Sequence, residues 1–200
     1  MGNDRMFTTV TLVIITVYFV ANTISLAIVT RSEWGANPSK LVECINGSAP
    51  HVLIHHSYIP AHCNNTDDCK HAMRSMQNSH QNHRGWNDIG YNFAIGGDGQ
   101  IYEGRGFNVI GAHAPKYNIK SVGVCLIGDW SDELPPSHMI ENVNRLIAFG
   151  VSTGKIQENY TLLGHRQVRN TQCPGDRLFK EISTWKHFEA LPRALTDDNV

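Results

Sequence analysis

TLLGHRQVRNTQCPG, residues 161–175, carries a histidine and a cysteine, His165 and Cys173, each beside a backbone punctuator. Gly164 permits close approach of the chain, and Pro174-Gly175 forces a turn. Imidazole and thiolate are two of the ligands zinc prefers, and a catalytic zinc takes a third protein ligand while keeping a fourth position open. The best third candidate lies in HVLIHHS, residues 51–57. That run is apolar until it ends in His55-His56, as a buried strand delivering an imidazole to the rim of a sheet would be. Adjacent strand residues face opposite sides, so only one of the pair enters a given site, and parity does not choose between them.

The spacing of His165 and Cys173 matches none of the close CxxC or HxxxH pairs of structural zinc sites. It is also the spacing of a loop histidine and one half of a disulfide, and on spacing alone both readings stand.

Two hundred residues suit one domain with a sizeable core, and a formal net charge of −1 offers no basic field to hold nucleic acid. Residues 1–30 differ in kind. Their densest apolar part, Val10 to Ala21, has signal-peptide length, and Ser25-Leu26-Ala27 offers small residues at both cleavage-determining positions. The chain therefore reads as secreted, with 1–27 a signal peptide, 28–188 the mature domain and 189–200 a frayed tail. A retained membrane anchor is the alternative, because Phe7 to Val29 is long enough to span a bilayer. Asn-x-Ser/Thr sites at Asn46, Asn64 and Asn159 are compatible with export.

Pro38, Gly47 and Pro50 mark an irregular lead-in before the His55 strand. Cys63 and Cys69 flank a polar loop and, in an exported chain, read as a small disulfide. Asp67 is placed to cap a helix running through Met73 and Met76 to about His83, with both methionines as core filling. Around Gly96-Gly97-Asp98-Gly99 the pattern predicts a hairpin whose first arm, Ile89 to Ile95, carries Tyr91. Ser121 to Ile127 reads as a central strand containing Cys125. Cys44 has no obvious partner, so the five cysteines allow one bridge or two. The clearest helix is predicted from Asp132 to Val151, with Ser137 able to cap it and Gly154 ending it. A last helix follows from about Asp176 to Trp185. This order implies a three-layer mixed α/β domain, helices flanking one central, mostly parallel sheet.

Read as a set, HH at 55–56, GWNDIGYNF at 85–93, GDGQIYEGRG at 97–106, GAHAPKYN at 111–118, SVGVCLIGDW at 121–130 and GHRQVRNTQCPG at 164–175 closely resemble the peptidoglycan recognition protein family, in its amidase-type insect members. The resemblance covers about residues 31–188. It implies a zinc N-acetylmuramoyl-L-alanine amidase with His55, His165 and Cys173 as metal ligands and Tyr91 at the reacting centre. It also implies a bridge between Cys63 and Cys69. Relatives that only bind peptidoglycan typically lack the cysteine, which this chain keeps. Thr171 stands where bacteriophage relatives have a lysine, so it is a candidate to support the reacting oxygen or water, or else a loop hydroxyl satisfying backbone. The resemblance selects His55 over His56 and places His113 in the groove.

Substrate choice is implied by a separate group. Members selective for diaminopimelic-acid peptidoglycan typically have Gly-Trp before the hairpin and an arginine after it, matched here by Gly85, Trp86 and Arg105. A guanidinium grips the extra carboxylate of diaminopimelate with paired charge-assisted bonds and repels a lysine ammonium. Zn2+ is thus the expected cofactor and bacterial peptidoglycan and its muropeptides the expected partners of a monomer. A non-catalytic or membrane-held receptor for the same ligand is the alternative.

Overall fold

A computed structural model describes residues 26–190. The signal or anchor reading of residues 1–25 and the tail from 191 lie outside the described residues. Thr30 opens the domain as the cap of a short helix, α1 (Arg31–Trp34), in a reciprocal capping box with Glu33. After an irregular lead-in, β1 (Ala49–His56) enters the sheet, and Pro50 sits at a register shift at its start.

Next come α2 (Thr66–Asn78), β2 (Phe93–Ile95), β3 (Ile101–Glu103), β4 (Ser121–Leu126), α3 (Ser137–Ser152), β5 (Ile156–Gly164) and α4 (Asp176–Ile182). The strands form a mixed sheet in the order β3-β2-β4-β1-β5. Every neighbouring pair is parallel except β2 with β3, which are joined by the Gly-rich hairpin.

Alternation along β4 divides the core into two layers. Val122, Val124 and Leu126 pack with Val52 and Ile54 against Met139, Val143, Leu146 and Ile147 of α3 and Leu178 and Ile182 of α4. On the opposite face Cys125 and Ile127 join Ala94 and Tyr102 against Ala72, Met73 and Met76 of α2. Sheet and helices thus make three layers. All of β4 is buried, and each fully buried aliphatic side chain of this kind contributes roughly 1.5–3 kcal/mol.

Several boundaries differ from expectation. Asn65, not Asp67, caps α2, its side chain accepting from the Asp68 amide at 3.0 Å; Asp67 and Asp68 lie in the first turn, where negative charge favours the helix dipole. The helix then continues to His83 as a π-helical segment, Ser79–His83. α3 starts at Ser137 rather than Asp132, because Pro135 and Pro136 hold the residues before them extended, and Pro136 takes the cap position. The last helix stops at Ile182 instead of Trp185. Cys63 and Cys69 form the disulfide. Cys44 is an exposed free thiol and Cys125 a buried one, so no second bridge joins them.

Candidate metal centre

Parallel strands β1 and β5 end side by side, Ile54 opposite Gly164, which brings His55 and His165 together at their carboxyl ends. In open α/β sheets this end is where ligands bind. Cys173 returns through the turn ahead of α4: the Arg166 amide donates to its carbonyl at 3.0 Å, and the Gly175 amide to the Gln172 carbonyl at 2.9 Å. Ligand atoms of His55, His165 and Cys173 all lie within 4.8 Å of one another. His55 Nδ1 is 3.8 Å from Cys173 Sγ, and the rings of His55 and His165 are 4.4 Å apart. His56 faces the other side of β1. Its amide donates to Cys173 Sγ at 3.3 Å, while its ring Nδ1 accepts from the Trp130 amide at 3.3 Å.

Burial holds His55 well below the usual imidazole range, with His165, His113 and His56 adding repulsion. His165 is lowered to about 4 by burial and then by Arg169. The Cys173 thiol is pushed up to about 12 by burial, against the opposing His56 amide and Arg166. These are neutral imidazoles with lone pairs to give and a thiol that lacks a nearby cation strong enough to ionise it. A divalent metal would supply that charge, and two imidazoles with one thiolate are a donor set that fits zinc. His165 Nε2 is also buried without a hydrogen-bond partner in the protein.

His113 lies against the back of His55. Its Nδ1 is 3.0 Å from His55 Nε2, so in the tautomer that leaves His55 Nδ1 free toward Cys173 the Nε2 proton is held by His113. Without the family resemblance His113 reads as an exposed loop histidine; it is in fact 7% exposed. Gly111 and Gly123 make the slot. A Cβ on either would meet the His113 ring at 2.4 Å. Gly123→Ala should therefore cost about 1–3 kcal/mol in urea unfolding, and most of that loss should vanish when His113 is also alanine.

Of this triad, His165 and Cys173 line a cleft of about 820 Å³, whose walls include Tyr91, His113, Trp86 and Thr171, while His55 is buried against them at 1% exposure. Tyr91 precedes β2 rather than riding on the hairpin arm. The regular strand starts only at Phe93; before it the Asn92 side chain donates to the carbonyls of Gly106 and Val109 and accepts from the Gly123 amide, and the Tyr91 carbonyl accepts from the Arg105 amide at 3.0 Å. The Tyr91 ring is 5.3 Å from that of His55, and burial beside Cys125 and Cys173 keeps its phenol protonated. Thr171 Oγ1 accepts from the Cys173 amide at 3.2 Å, which fits a hydroxyl satisfying backbone.

Of the substrate group, Trp86 lines the cleft, whereas Gly85 and Arg105 are outside its lining. Gly85 supplies a turn at φ +70°. Arg105 donates to the carbonyls of Ile89 at 2.7 Å and Ile110 at 2.8 Å. Among the cleft residues not assigned from the sequence are His80 and Arg84. The π-helical segment re-aims this stretch, closing on the Arg84 amide to the Ser79 carbonyl at 3.1 Å. Trp86 is then flanked by the His80 ring at 4.7 Å and the Arg84 guanidinium at 5.2 Å. The visible signal was a basic residue directly before Gly-Trp.

The N-acetylmuramoyl-L-alanine amidase family model matches residues 46–176. The chain is 65% identical over 161 residues to peptidoglycan-recognition protein LB of Drosophila melanogaster, covering 80% of this chain and 69% of the relative. A mutant of Drosophila PGRP-LB solved in complex with tracheal cytotoxin is 64% identical with a TM-score of 0.80, over 81% of this chain and 96% of that one. Peptidoglycan recognition protein-LE, in complex with tracheal cytotoxin, a monomeric diaminopimelic acid-type peptidoglycan, is 39% identical with a TM-score of 0.80, over 82% and 96%.

Proposed function

Because the chain belongs to the peptidoglycan recognition protein family and carries its N-acetylmuramoyl-L-alanine amidase domain, we propose that it is a secreted, zinc-dependent amidase acting on diaminopimelic-acid-type peptidoglycan. Its reaction is hydrolysis of the lactyl-amide bond between muramic acid and the stem peptide, which removes an elicitor of innate immunity. The observation that carries this reading is the convergence of His55, His165 and Cys173, two of which line an open cleft.

His55, His165 and the Cys173 thiolate would hold the metal. When bound, zinc supplies Lewis-acid polarisation of the amide carbonyl and makes water acidic enough to attack near neutral pH. Tyr91, kept protonated by burial, donates to the carbonyl oxygen as negative charge develops there. His113 positions His55, and Thr171 steadies the Cys173 loop from the lip of the cleft.

Selectivity for diaminopimelate is supported by what the two tracheal cytotoxin complexes hold and by the Arg84 guanidinium beside Trp86. Arg105 uses its bonds to Ile89 and Ile110 to fix its plane, and retains N–H groups for a carboxylate. Arg105→Ala should lose about 2–4 kcal/mol of calorimetric binding for diaminopimelic-type stems and little for lysine-type stems. Equal losses for both would make Arg105 a support of the wall rather than a reader of the third residue.

Cleavage after Ala27 is compatible with the described fold. Val29 is already committed to the domain, its amide donating to Ile101 at 2.8 Å and its carbonyl accepting from Glu103 at 2.9 Å, so a cut after Ala27 spares these bonds. Asn46, Asn64 and Asn159 are all exposed for glycosylation. The test is to recover the protein from the medium of expressing cells, sequence its N-terminus, measure zinc and identify products from a muropeptide. About one zinc, a start near Ile28 and chelator-sensitive release of intact stem peptide are expected. Binding without cleavage would return the protein to the receptor reading.

A further inference from the structure

Contacts order the cleft from end to end. Trp86 lies 4.7 Å from His80 between ring centres, His80 lies 5.8 Å from Tyr91, and Tyr91 lies 5.3 Å from His55. Beyond the triad, the His56 amide reaches Cys173 and the His56 ring lies 5.9 Å from that of Tyr58. The triad therefore stands between an Arg84–Trp86 end and a Tyr58 end, and Tyr58 lines the same cleft.

An amide held at the triad sends its two halves toward these two ends. The stem peptide is acidic and suits the end with the guanidinium. The other half is an uncharged N-acetylated sugar, with an apolar C–H face and a polar rim. Tyr58 presents a matching surface: it is 60% exposed, yet its backbone is held at φ +59°, uncommon for a bulky residue and sustained only where the surroundings impose it. The Tyr58 amide donates to the Gly128 carbonyl at 2.9 Å. Ser57 Oγ accepts from the Gly128 amide and donates to the Pro60 carbonyl, both at 2.8 Å. An exposed aromatic ring on a clamped loop is preorganised for stacking. Ser131 and Gln172, from the segments beside His56 and Cys173, supply polar groups to the same wall.

We propose that Tyr58 is the platform of a sugar subsite, stacking its exposed ring on the sugar that bears the lactyl group. The inference rests on the amidase reading for the direction of the substrate, but its test needs no turnover. On a Cys173→Ser background, binding of a disaccharide–tripeptide containing diaminopimelate is compared by calorimetry with binding of the free tripeptide. Tyr58→Leu should weaken the sugar-bearing ligand by about tenfold and leave the free peptide unchanged, whereas Tyr58→Phe and Tyr58→Trp should bind both as the parent does. Equal weakening of both ligands by Tyr58→Leu would make Tyr58 a loop scaffold and overturn the proposal. So would an unchanged affinity for the sugar-bearing ligand, or a parent that does not distinguish the two. If the wild-type protein hydrolyses nothing while Tyr58→Leu still loses sugar-dependent binding, the subsite stands and the amidase reading falls.

Discussion

Cys173→Ser protein is expected to release no stem peptide above background, a loss of at least about a thousandfold, while still binding muropeptide. The reason lies in the donor set. Two neutral imidazoles alone leave a dication without the anionic ligand that completes its charge and geometry, and a serine hydroxyl is far harder to ionise than the thiol it replaces. Cys173 is buried, at 9% exposure, beneath the His56 amide, and serine is slightly smaller, so the fold should persist. Three measurements check this: zinc content, chromatographic release of the peptide, and calorimetry with the intact muropeptide. Wild-type turnover by a metal-free Cys173→Ser preparation would remove the metal from the reaction.

Tyr91→Phe should lower kcat by roughly a hundredfold or more with little change in KM, the size expected for one hydrogen-bond donor that acts as charge develops. The substitution keeps the ring against His55 and His80 and removes only the hydroxyl. If instead KM rises with kcat unchanged, Tyr91 serves ground-state binding alone. Zinc content should not move, because the proposed ligands are His55, His165 and Cys173, all left in place by the substitution. That separates its role from a defect in the metal centre.

The two variants differ in how readily they could have been chosen from the chain alone. Cys173 and His165 announce themselves by residue type beside glycine and proline, and an apolar run closing on two histidines says that a strand ends there. These are local properties, carried by the chemistry of a few neighbouring residues. The layered α/β order was legible for the same reason: the apolar run of β4 and the helical spacing of α3 are short-range patterns. Legibility failed where a boundary depended on a competing local bond. The Asn92 side chain takes the Gly123 amide where the regular strand begins, and Asn65 takes the cap of α2 ahead of Asp67.

What the sequence by itself determined was therefore an inventory: a central parallel sheet, helices to cover it, a small disulfide loop, and imidazole and thiol donors at strand ends and turns. Family resemblance then picked His55 from its pair, a choice that alternation could not make. Only the tertiary structure decides which side chains share a face and which lie behind a wall. His55 meets Cys173 across 118 positions and His113 across 58, distances along the chain at which no local pattern operates. The slot for His113 exists because Gly123 sits on the strand opposite Leu53, leaving room where any side chain would intrude. Arg105 turned out to brace backbone carbonyls while Arg84, freed by a π-helical segment, reached the cleft. Charge and residue type are written in the sequence. Exposure is settled by packing, because it depends on what every other segment leaves uncovered.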